Sequence, residues 1–231
     1  MSFRSYSARV KARIWITYVH AGEVKEALRR RIQPGRMRIV PHSWPLWARV
    51  CPCDLHLCDL LLERKVRSKS IFHLGTGGHH LVGLRNHIDG LDNVILGVTV
   101  SPSEIRRYVK LVIRNPTLGQ TYRVLFADVH GLRAASLPDF DLVTLFHLAE
   151  FGSTTGSGHL LSDNGVLDLF CSKLKPGGLL VLYRGSNGYA RLQTTVAAAM
   201  VAGTLRYVED YKSLQILQVP SRPRAPPVAG E

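Results

Sequence analysis

The sequence lacks any long apolar run. No uninterrupted stretch approaches the roughly 18 apolar residues that a membrane-spanning helix needs, and the longest candidate, residues 194–201, is Ala-rich and far too short. An apolar secretory core followed by a small-residue cleavage site is also missing. We therefore expect no membrane span and a cytoplasmic location.

Acidic residues are scarce, and unevenly so. The 231 residues include 30 Lys and Arg but only 17 Asp and Glu, for a net charge of +13. Residues 1–70 hold 15 basic and 5 acidic residues, whereas residues 71–231 hold 15 and 12. The basic excess predicts an anionic partner for the N-terminal segment, either RNA or an acidic protein surface, or else a solvated basic surface.

Residues 1–22 contain no acid at all, four basic residues and three serines. This composition is typical of a mitochondrial transit peptide, which makes the mitochondrial matrix the alternative location. The same stretch is equally compatible with a basic amphipathic helix.

Cysteine is rare as well, with four residues in the chain. Three of them, Cys51, Cys53 and Cys58, cluster around His56, and this combination of residues is a candidate zinc site. Paired Cys-x-x-Cys spacing, which such sites usually show, is absent. We therefore expect reduced thiols on a partly buried helix and no metal site.

What is present, from residue 69 onward, is a regular alternation of short apolar segments and helical segments. Five continuous apolar runs predict strands that are covered on both faces and joined in parallel β-α units. The predicted strands are 70–74, 93–100, 122–127, 140–146 and 179–183, and residues 205–211 and 213–219 form an antiparallel pair. The predicted helices are 9–32, 54–65, 79–88, 102–114, 163–174 and 189–202.

Chemistry-bearing residues recur where these strands end. The first strand leads into Gly75-Thr76-Gly77-Gly78, where glycines allow a sharp turn and a close approach to a ligand at a helix N-terminus. Thr99 ends the second strand, 24 residues beyond Gly75. The remaining positions are Asp128 after the third strand, Phe146 and His147 at the end of the fourth, and the turn Lys175-Pro176-Gly177-Gly178 before the fifth.

This succession resembles the class I S-adenosylmethionine-dependent methyltransferases over about 150 of the 231 residues. The resemblance implies an α/β fold with a seven-stranded Rossmann-like sheet, mostly parallel with an antiparallel terminal strand. It divides the chain into a basic, largely helical N-terminal extension (1–68), a Rossmann domain (69–219) and a Pro-rich tail (220–231). The function it implies is methyl transfer from S-adenosylmethionine to an acceptor that the sequence does not identify.

The resemblance also assigns residues. By position in the family's pattern, the cofactor would be bound by Gly75, Thr76, Gly77, Thr99, Val100, Asp128, Val129, Phe146 and His147. Candidate catalytic residues are His147, as a general base, and Glu150, as its orienting partner or a substrate contact. The alternative is that both are loop residues beside the adenosine pocket.

Three positions depart from the family's pattern. His73 stands where the family commonly has an acid, Thr99 stands where it has the acid that holds the ribose hydroxyls, and His79 replaces the third glycine. A threonine hydroxyl cannot accept two ribose hydroxyls as a carboxylate does. The alternative function is therefore an inactive protein of this fold that serves as an interaction or assembly subunit through its basic N-terminal segment. A nicotinamide-dependent oxidoreductase is disfavoured, because His80 stands where its motif requires the last glycine.

Five further side chains are candidates for contact with a ligand. His79 and His80 either bind a metal or substrate anion or simply open a helix. Arg184 either meets an anionic substrate or faces solvent. Trp44 and Trp47 either form a lid or pack against the domain.

Overall fold

A computed structural model describes residues 39–150 and 160–221. The predicted helix 9–32, the transit-peptide-like segment and all but the first two residues of the predicted tail lie outside the described residues. The helices are α1 (Cys53–Glu63), α2 (Leu81–Ile88), α3 (Pro102–Arg114), α4 (Leu118–Thr121), α5 (Asp163–Ser172) and α6 (Tyr189–Val201). The strands are β1 (Ser70–Leu74), β2 (Val94–Thr99), β3 (Tyr122–Phe126), β4 (Phe140–Thr144), β5 (Leu174–Tyr183), β6 (Arg206–Tyr211) and β7 (Leu214–Gln218).

The seven strands form one sheet in the order β3-β2-β1-β4-β5-β7-β6. Strands β1 to β5 are parallel, and β7 runs antiparallel to both of its neighbours, β5 and β6. This confirms the predicted sheet, including the final hairpin that inserts an antiparallel seventh strand. Because β1 pairs with β2 on one side and β4 on the other, the order of the strands reverses between β1 and β4.

Helices cover both faces of the sheet. Neighbouring strand residues point to opposite faces, so Phe72 packs with Phe170 of α5 in one apolar cluster, whereas Ile71 packs with Leu57 of α1 in the other. All four side chains are fully buried. Coverage on both faces explains why the strands are continuous apolar runs rather than alternating ones.

Helix α1 belongs to this packing, although it lies in the predicted extension. Its residues Leu57, Leu60 and Leu61 are buried, and the helix contacts α2 and β7. The boundary between residues 68 and 69 stays a prediction, but part of the core on one face of the sheet comes from before it.

Local chemistry sets several element ends. The Ser101 side chain accepts a hydrogen bond from the Glu104 amide and so caps the start of α3. Helix α2 begins at Leu81 rather than at the predicted residue 79, because His80 has a left-handed backbone (φ +48°). Strand β5 begins at Leu174 rather than 179, because Leu174 pairs with Phe140 before the glycine turn. The short helix α4 and the 3₁₀ turn Ala134–Ser136 were not predicted.

Within residues 39–150 and 160–221, none of the helices combines the length and apolarity required to cross a membrane.

Candidate functional site

A cavity of about 430 Å³ opens at the carboxyl edge of the sheet. Residues that follow β1, β2, β3, β4 and β5 all line it, so it lies across the point at which the strand order reverses. Open α/β sheets bind their ligands in this crevice, and the volume is in the range of small-molecule sites.

Most of the predicted cofactor-binding residues meet at this cavity. Its walls include Gly75, Gly77, Thr99, Val100, Asp128, Val129, Phe146 and His147, together with the candidate catalytic residue Glu150. Thr76 is the exception. Its side chain is buried below the turn, where the hydroxyl donates a hydrogen bond to Glu104 (3.2 Å), and it is not part of the cavity wall.

The glycine turn holds its shape through backbone geometry that favours glycine. Gly75 has a φ of +83° and Gly77 a φ of +56°. The Gly75 amide donates to the Val98 carbonyl (3.0 Å), which fastens the turn to β2. A Cβ atom on Gly75 would meet nothing within 4 Å, so the backbone here is open to an approaching ligand.

A buried carboxylate stands behind Thr99, where the sequence had indicated that an acid was missing. The Thr99 hydroxyl donates to Glu104 Oε2 (2.6 Å), and the Trp44 amide donates to Glu104 Oε1 (3.2 Å). Glu104 is 2% exposed and lines the cavity. Burial raises the pKa of this carboxyl, and the hydrogen bonds that it accepts oppose the rise. Helix α3 therefore supplies the acid that β2 lacks.

A second carboxylate approaches His73, the other position where the sequence departs from the family. The His73 Nδ1 atom shares a hydrogen bond with the Thr144 hydroxyl (2.8 Å), and its buried Nε2 atom lies 3.7 Å from Asp54 Oδ1 without a hydrogen-bond partner. Burial lowers the pKa of His73 to about 3 and raises that of Asp54 to about 7. The acid again comes from a helix, in this case α1.

Asp128 sits in a bridge between two elements. It accepts hydrogen bonds from the His130 amide (3.1 Å) and pairs with His130 Nδ1 (3.0 Å), while His130 Nε2 pairs with Asp163 at the start of α5 (3.0 Å). Burial opposes a charge on His130, but the two carboxylates raise its pKa to about 9. Asp128 thus caps the turn that follows β3 and also lines the cavity.

A cluster of two thiols and an imidazole also lines the cavity. The Cys51 Sγ atom lies 3.5 Å from Cys53 Sγ and 3.2 Å from His147 Nε2, and the distance from Cys53 Sγ to His147 Nε2 is 3.7 Å. On the other side of the ring, His147 Nδ1 pairs with Glu150 Oε1 (2.9 Å). The same oxygen also accepts a hydrogen bond from the main-chain amide of Asn187 (2.7 Å). His147 is held with a left-handed backbone, φ +61°.

Each ionisable group in this cluster is shifted by the others. The hydrogen bond from Cys53, assisted by His147 and opposed by burial, lowers the pKa of Cys51 to about 5. The hydrogen bond to Cys51 and burial raise the pKa of Cys53 well above its ordinary value. Burial opposes a charge on His147, but Cys51 and Glu150 raise its pKa to about 10. The contacts within the cluster therefore favour a negative charge on Cys51 and a positive charge on His147.

The segment that precedes α1 covers the cavity. The Val40 amide donates to the Val100 carbonyl (3.1 Å), and the Gly78 amide donates to the Trp44 carbonyl (2.8 Å). Trp44 and Trp47 both line the cavity. The two tryptophans therefore pack against the domain, as expected, and at the same time form part of the wall.

The remaining candidates have structural partners. Arg184 pairs with Asp210 (2.8 Å). His80 is buried between the Tyr122 hydroxyl (2.9 Å) and the Glu104 carbonyl (3.0 Å), which supports its interpretation as a residue that opens a helix. His79 Nε2 lies 3.6 Å from Asp54 Oδ2, and burial lowers the pKa of His79 to about 4.

Sequence reasoning missed Glu104, Asp54, Cys51, Cys53 and His130 as residues of this site. Glu104 did carry a signal, since Ser101-Pro102-Ser103-Glu104 is typical of the start of a helix. Its burial could not be predicted, because it depends on the approach of Thr76, Thr99 and residues 43 and 44.

Comparisons with known proteins agree on the fold. No protein-family model matches the sequence, and no curated protein matches it. Among solved structures, the chain is similar to the [4+2]-cyclase SpnF, with 17% identity, a TM-score of 0.55, and coverage of 88% of this chain and 95% of that one.

Two further structures with similar folds carry methyltransferase names. One is a candidate S-adenosyl-L-methionine-dependent methyltransferase from Methanococcus maripaludis (11% identity, TM-score 0.54, covering 75% of this chain and 88% of that one). The other is an O-methyltransferase family protein from Burkholderia thailandensis (12% identity, TM-score 0.51, covering 73% of this chain and 56% of that one). At these identities the likeness establishes the fold, which is the Rossmann-like fold of the class I methyltransferases.

Proposed function

We propose that the chain is an S-adenosylmethionine-dependent methyltransferase whose acceptor is still to be identified. The observation that carries this proposal is the placement of two carboxylates, Glu104 and Asp128, at the ends of β2 and β3 on one cavity that the turn at Gly75 opens. These are the places at which the resemblance puts contacts to ribose and adenine.

The lining residues fit the chemistry of that cofactor in three parts. Val98, Val129 and Phe146 give an apolar surface for a flat base, and Asp128 supplies an acceptor for an amino group. Thr99, with Glu104 behind it, offers a polarised hydroxyl to a sugar. The open backbone at Gly75 allows a polar amino-acid group to approach main-chain N–H groups.

When bound, the cofactor would supply a methyl group activated by a sulfonium, and the protein would supply position. Holding two reactants in line can by itself account for a large part of the rate of such a transfer. Both ring nitrogens of His147 are engaged in the structure, Nε2 by Cys51 and Nδ1 by Glu150, and its role as a general base stays a prediction.

The test is binding of S-adenosylhomocysteine, measured by titration calorimetry on the full chain. We expect binding in the wild type and a roughly ten- to hundredfold weaker affinity in Asp128→Asn, because one charge-assisted hydrogen bond of about 1.5–3 kcal/mol is lost. Asp168→Asn, an exposed aspartate on α5, is the matched control and should bind like the wild type. An absence of binding at millimolar S-adenosylhomocysteine would contradict the proposal.

The fold alone does not decide the reaction, since one of the similar structures is named a cyclase. A methyl transfer therefore needs its own readout, which is production of S-adenosylhomocysteine from S-adenosylmethionine in the presence of candidate acceptors. The alternative of an inactive interaction subunit depends on the basic segment 1–38, which lies outside the described residues. Within residues 39–150 and 160–221, nothing favours that alternative over a cofactor site.

A further inference from the structure

We propose that Cys51, Cys53 and His147 bind a zinc-type divalent cation, with Glu150 orienting the histidine and a fourth coordination position open to the cavity. This inference goes beyond methyl transfer and differs from the sequence-based expectation of no metal site. The expectation rested on spacing within residues 51–58, whereas the structure brings the third ligand from the end of β4.

The spacing of the three ligand atoms matches one face of a tetrahedron around such an ion. With metal–sulfur bonds of about 2.3 Å and metal–nitrogen bonds of about 2.0–2.1 Å, tetrahedral angles separate the ligand atoms by roughly 3.5–3.8 Å. The observed separations are 3.5 Å between the two sulfurs, and 3.2 and 3.7 Å from the sulfurs to the His147 nitrogen. A shift of a few tenths of an ångström would therefore complete the geometry.

The environment of His147 is the second argument. Metal-binding histidines usually donate their other ring N–H to a carboxylate, which fixes the ring and raises its basicity as a ligand. Here Nδ1 pairs with Glu150 and leaves Nε2 facing the two sulfurs. Glu150 is itself fixed by the Asn187 amide. The left-handed backbone of His147 is a strained conformation of the kind that persists at functional sites.

Charge balance is the third argument. Three groups that can carry a negative charge, namely Cys51, Cys53 and Glu150, contact the imidazole of His147. Cys53 is less than 10% exposed. Buried charges are paired or bound to metals, and one imidazolium offsets only one of these three groups. A divalent cation bound through a neutral imidazole would balance the charges of the two thiolates.

The donor set determines which cation would bind. Two sulfurs and an imidazole suit zinc and its close relatives, whereas magnesium and calcium take oxygen ligands. Cys51 and His147 line the cavity, and the His147 side chain is 32% exposed, so the uncoordinated side of the site faces open space. That fourth position would take water or a sulfur, nitrogen or oxygen donor of a bound substrate.

Cobalt provides the test, because it occupies tetrahedral zinc sites and gives visible and thiolate charge-transfer absorption. The full chain is purified, reduced, freed of metal with a chelator and titrated with Co²⁺ and then Zn²⁺. We expect about one equivalent of Co²⁺ to bind, with thiolate charge-transfer bands that Zn²⁺ abolishes. Metal analysis of the untreated protein should show zinc.

Variants then locate the ion. Cys51→Ser, Cys53→Ser and His147→Gln should each lower cobalt affinity by more than tenfold, and the two cysteine variants should also weaken the charge-transfer bands. Glu150→Gln should lower affinity by about 10–100-fold and leave the bands in place, as a positioning residue would. Cys171→Ser, on α5, is the matched control and should bind like the wild type. Circular dichroism establishes that each variant is folded.

Three results would overturn the proposal. The first is the absence of cobalt absorption in the reduced wild type. The second is stoichiometric binding that survives in the cysteine variants, since the ion would then lie elsewhere. The third is a Cys51–Cys53 disulfide in the isolated protein that, after reduction, still takes up no metal. Binding of S-adenosylhomocysteine to metal-free protein is measured in parallel, so that failure of the metal site and failure of the cofactor site are distinguished.

Discussion

Glu104 and Asp54 show how single residues can replace expected ones from a different element. The acids that the resemblance places on β1 and β2 are His73 and Thr99 in this chain, yet a carboxylate lies within 4 Å of each side chain. Each carboxylate lies in the first turn of a helix, Asp54 in α1 and Glu104 in α3. An acid from a helix therefore stands beside each of the two strand positions at which the resemblance expects one.

Glu104→Gln tests whether this buried carboxylate is also a structural element. Its Oε2 atom accepts hydrogen bonds from Thr76 and Thr99, and an amide nitrogen in that place could not accept them. We expect the free energy of unfolding to fall by about 1–3 kcal/mol, as measured by urea denaturation. Glu209→Gln, which removes an exposed ion pair with Arg64 (2.9 Å), is the control and should cost less than about 1 kcal/mol. Equal losses in the two variants would contradict the structural role.

At the scale of elements, the approach of α2 to the sheet depends on a glycine. A Cβ atom on Gly83 would overlap the ring of Tyr122, which is fully buried under the helix. Gly83→Ala should therefore destabilise the fold by about 1–3 kcal/mol through overpacking, despite the better helix propensity of alanine. Gly165 in α5 has only ordinary contacts at its Cβ position, the nearest at 3.4 Å. Thermal denaturation should show that Gly165→Ala leaves the stability of the fold unchanged or raises it by up to about 1 kcal/mol. If Gly165→Ala were instead the less stable of the two variants, this packing argument would be refuted.

The elements themselves could be predicted where local chemistry determines them. Helix α3 matches its prediction at both ends, because Ser101 caps its start and Asn115-Pro116 stops it. Strand β1 also matches its prediction, because its continuous apolar run ends at a glycine. The start of β5 could not be predicted, because pairing of Leu174 with a distant strand determines it. The four-residue helix α4 is too short to carry a periodic signal.

At the scale of the whole molecule, the candidate site combines local and distant information. The cavity-lining residues at strand ends could be predicted, because parallel strands bring their carboxyl ends to one edge of the sheet. The Cys51–His147 contact joins residues 96 positions apart. It depends on how the segment before α1 crosses that edge, and no pattern in the sequence specifies such a crossing.

His130 links two parts of the molecule, and the link depends on pH. It joins Asp128 after β3 to Asp163 at the start of α5, and these carboxylates raise its pKa to about 9, against an ordinary value of 6.5. The folded state therefore binds this proton more tightly than the unfolded state. The stabilisation is fully present below about pH 6.5 and is lost as the pH rises through about 9.

His130→Asn should remove this pH-dependent stabilisation. We expect the variant to be less stable than the wild type by about 1–3 kcal/mol at pH 6, and the difference to shrink towards pH 10 as the wild type loses its proton. Urea denaturation at half-unit pH intervals measures the difference directly. His87→Asn, which replaces a half-buried histidine on α2 that hydrogen-bonds with Asn115, is the control for the substitution itself. A difference between His130→Asn and wild type that stays constant from pH 6 to pH 10 would mean that packing, rather than the charge on His130, holds the two parts together.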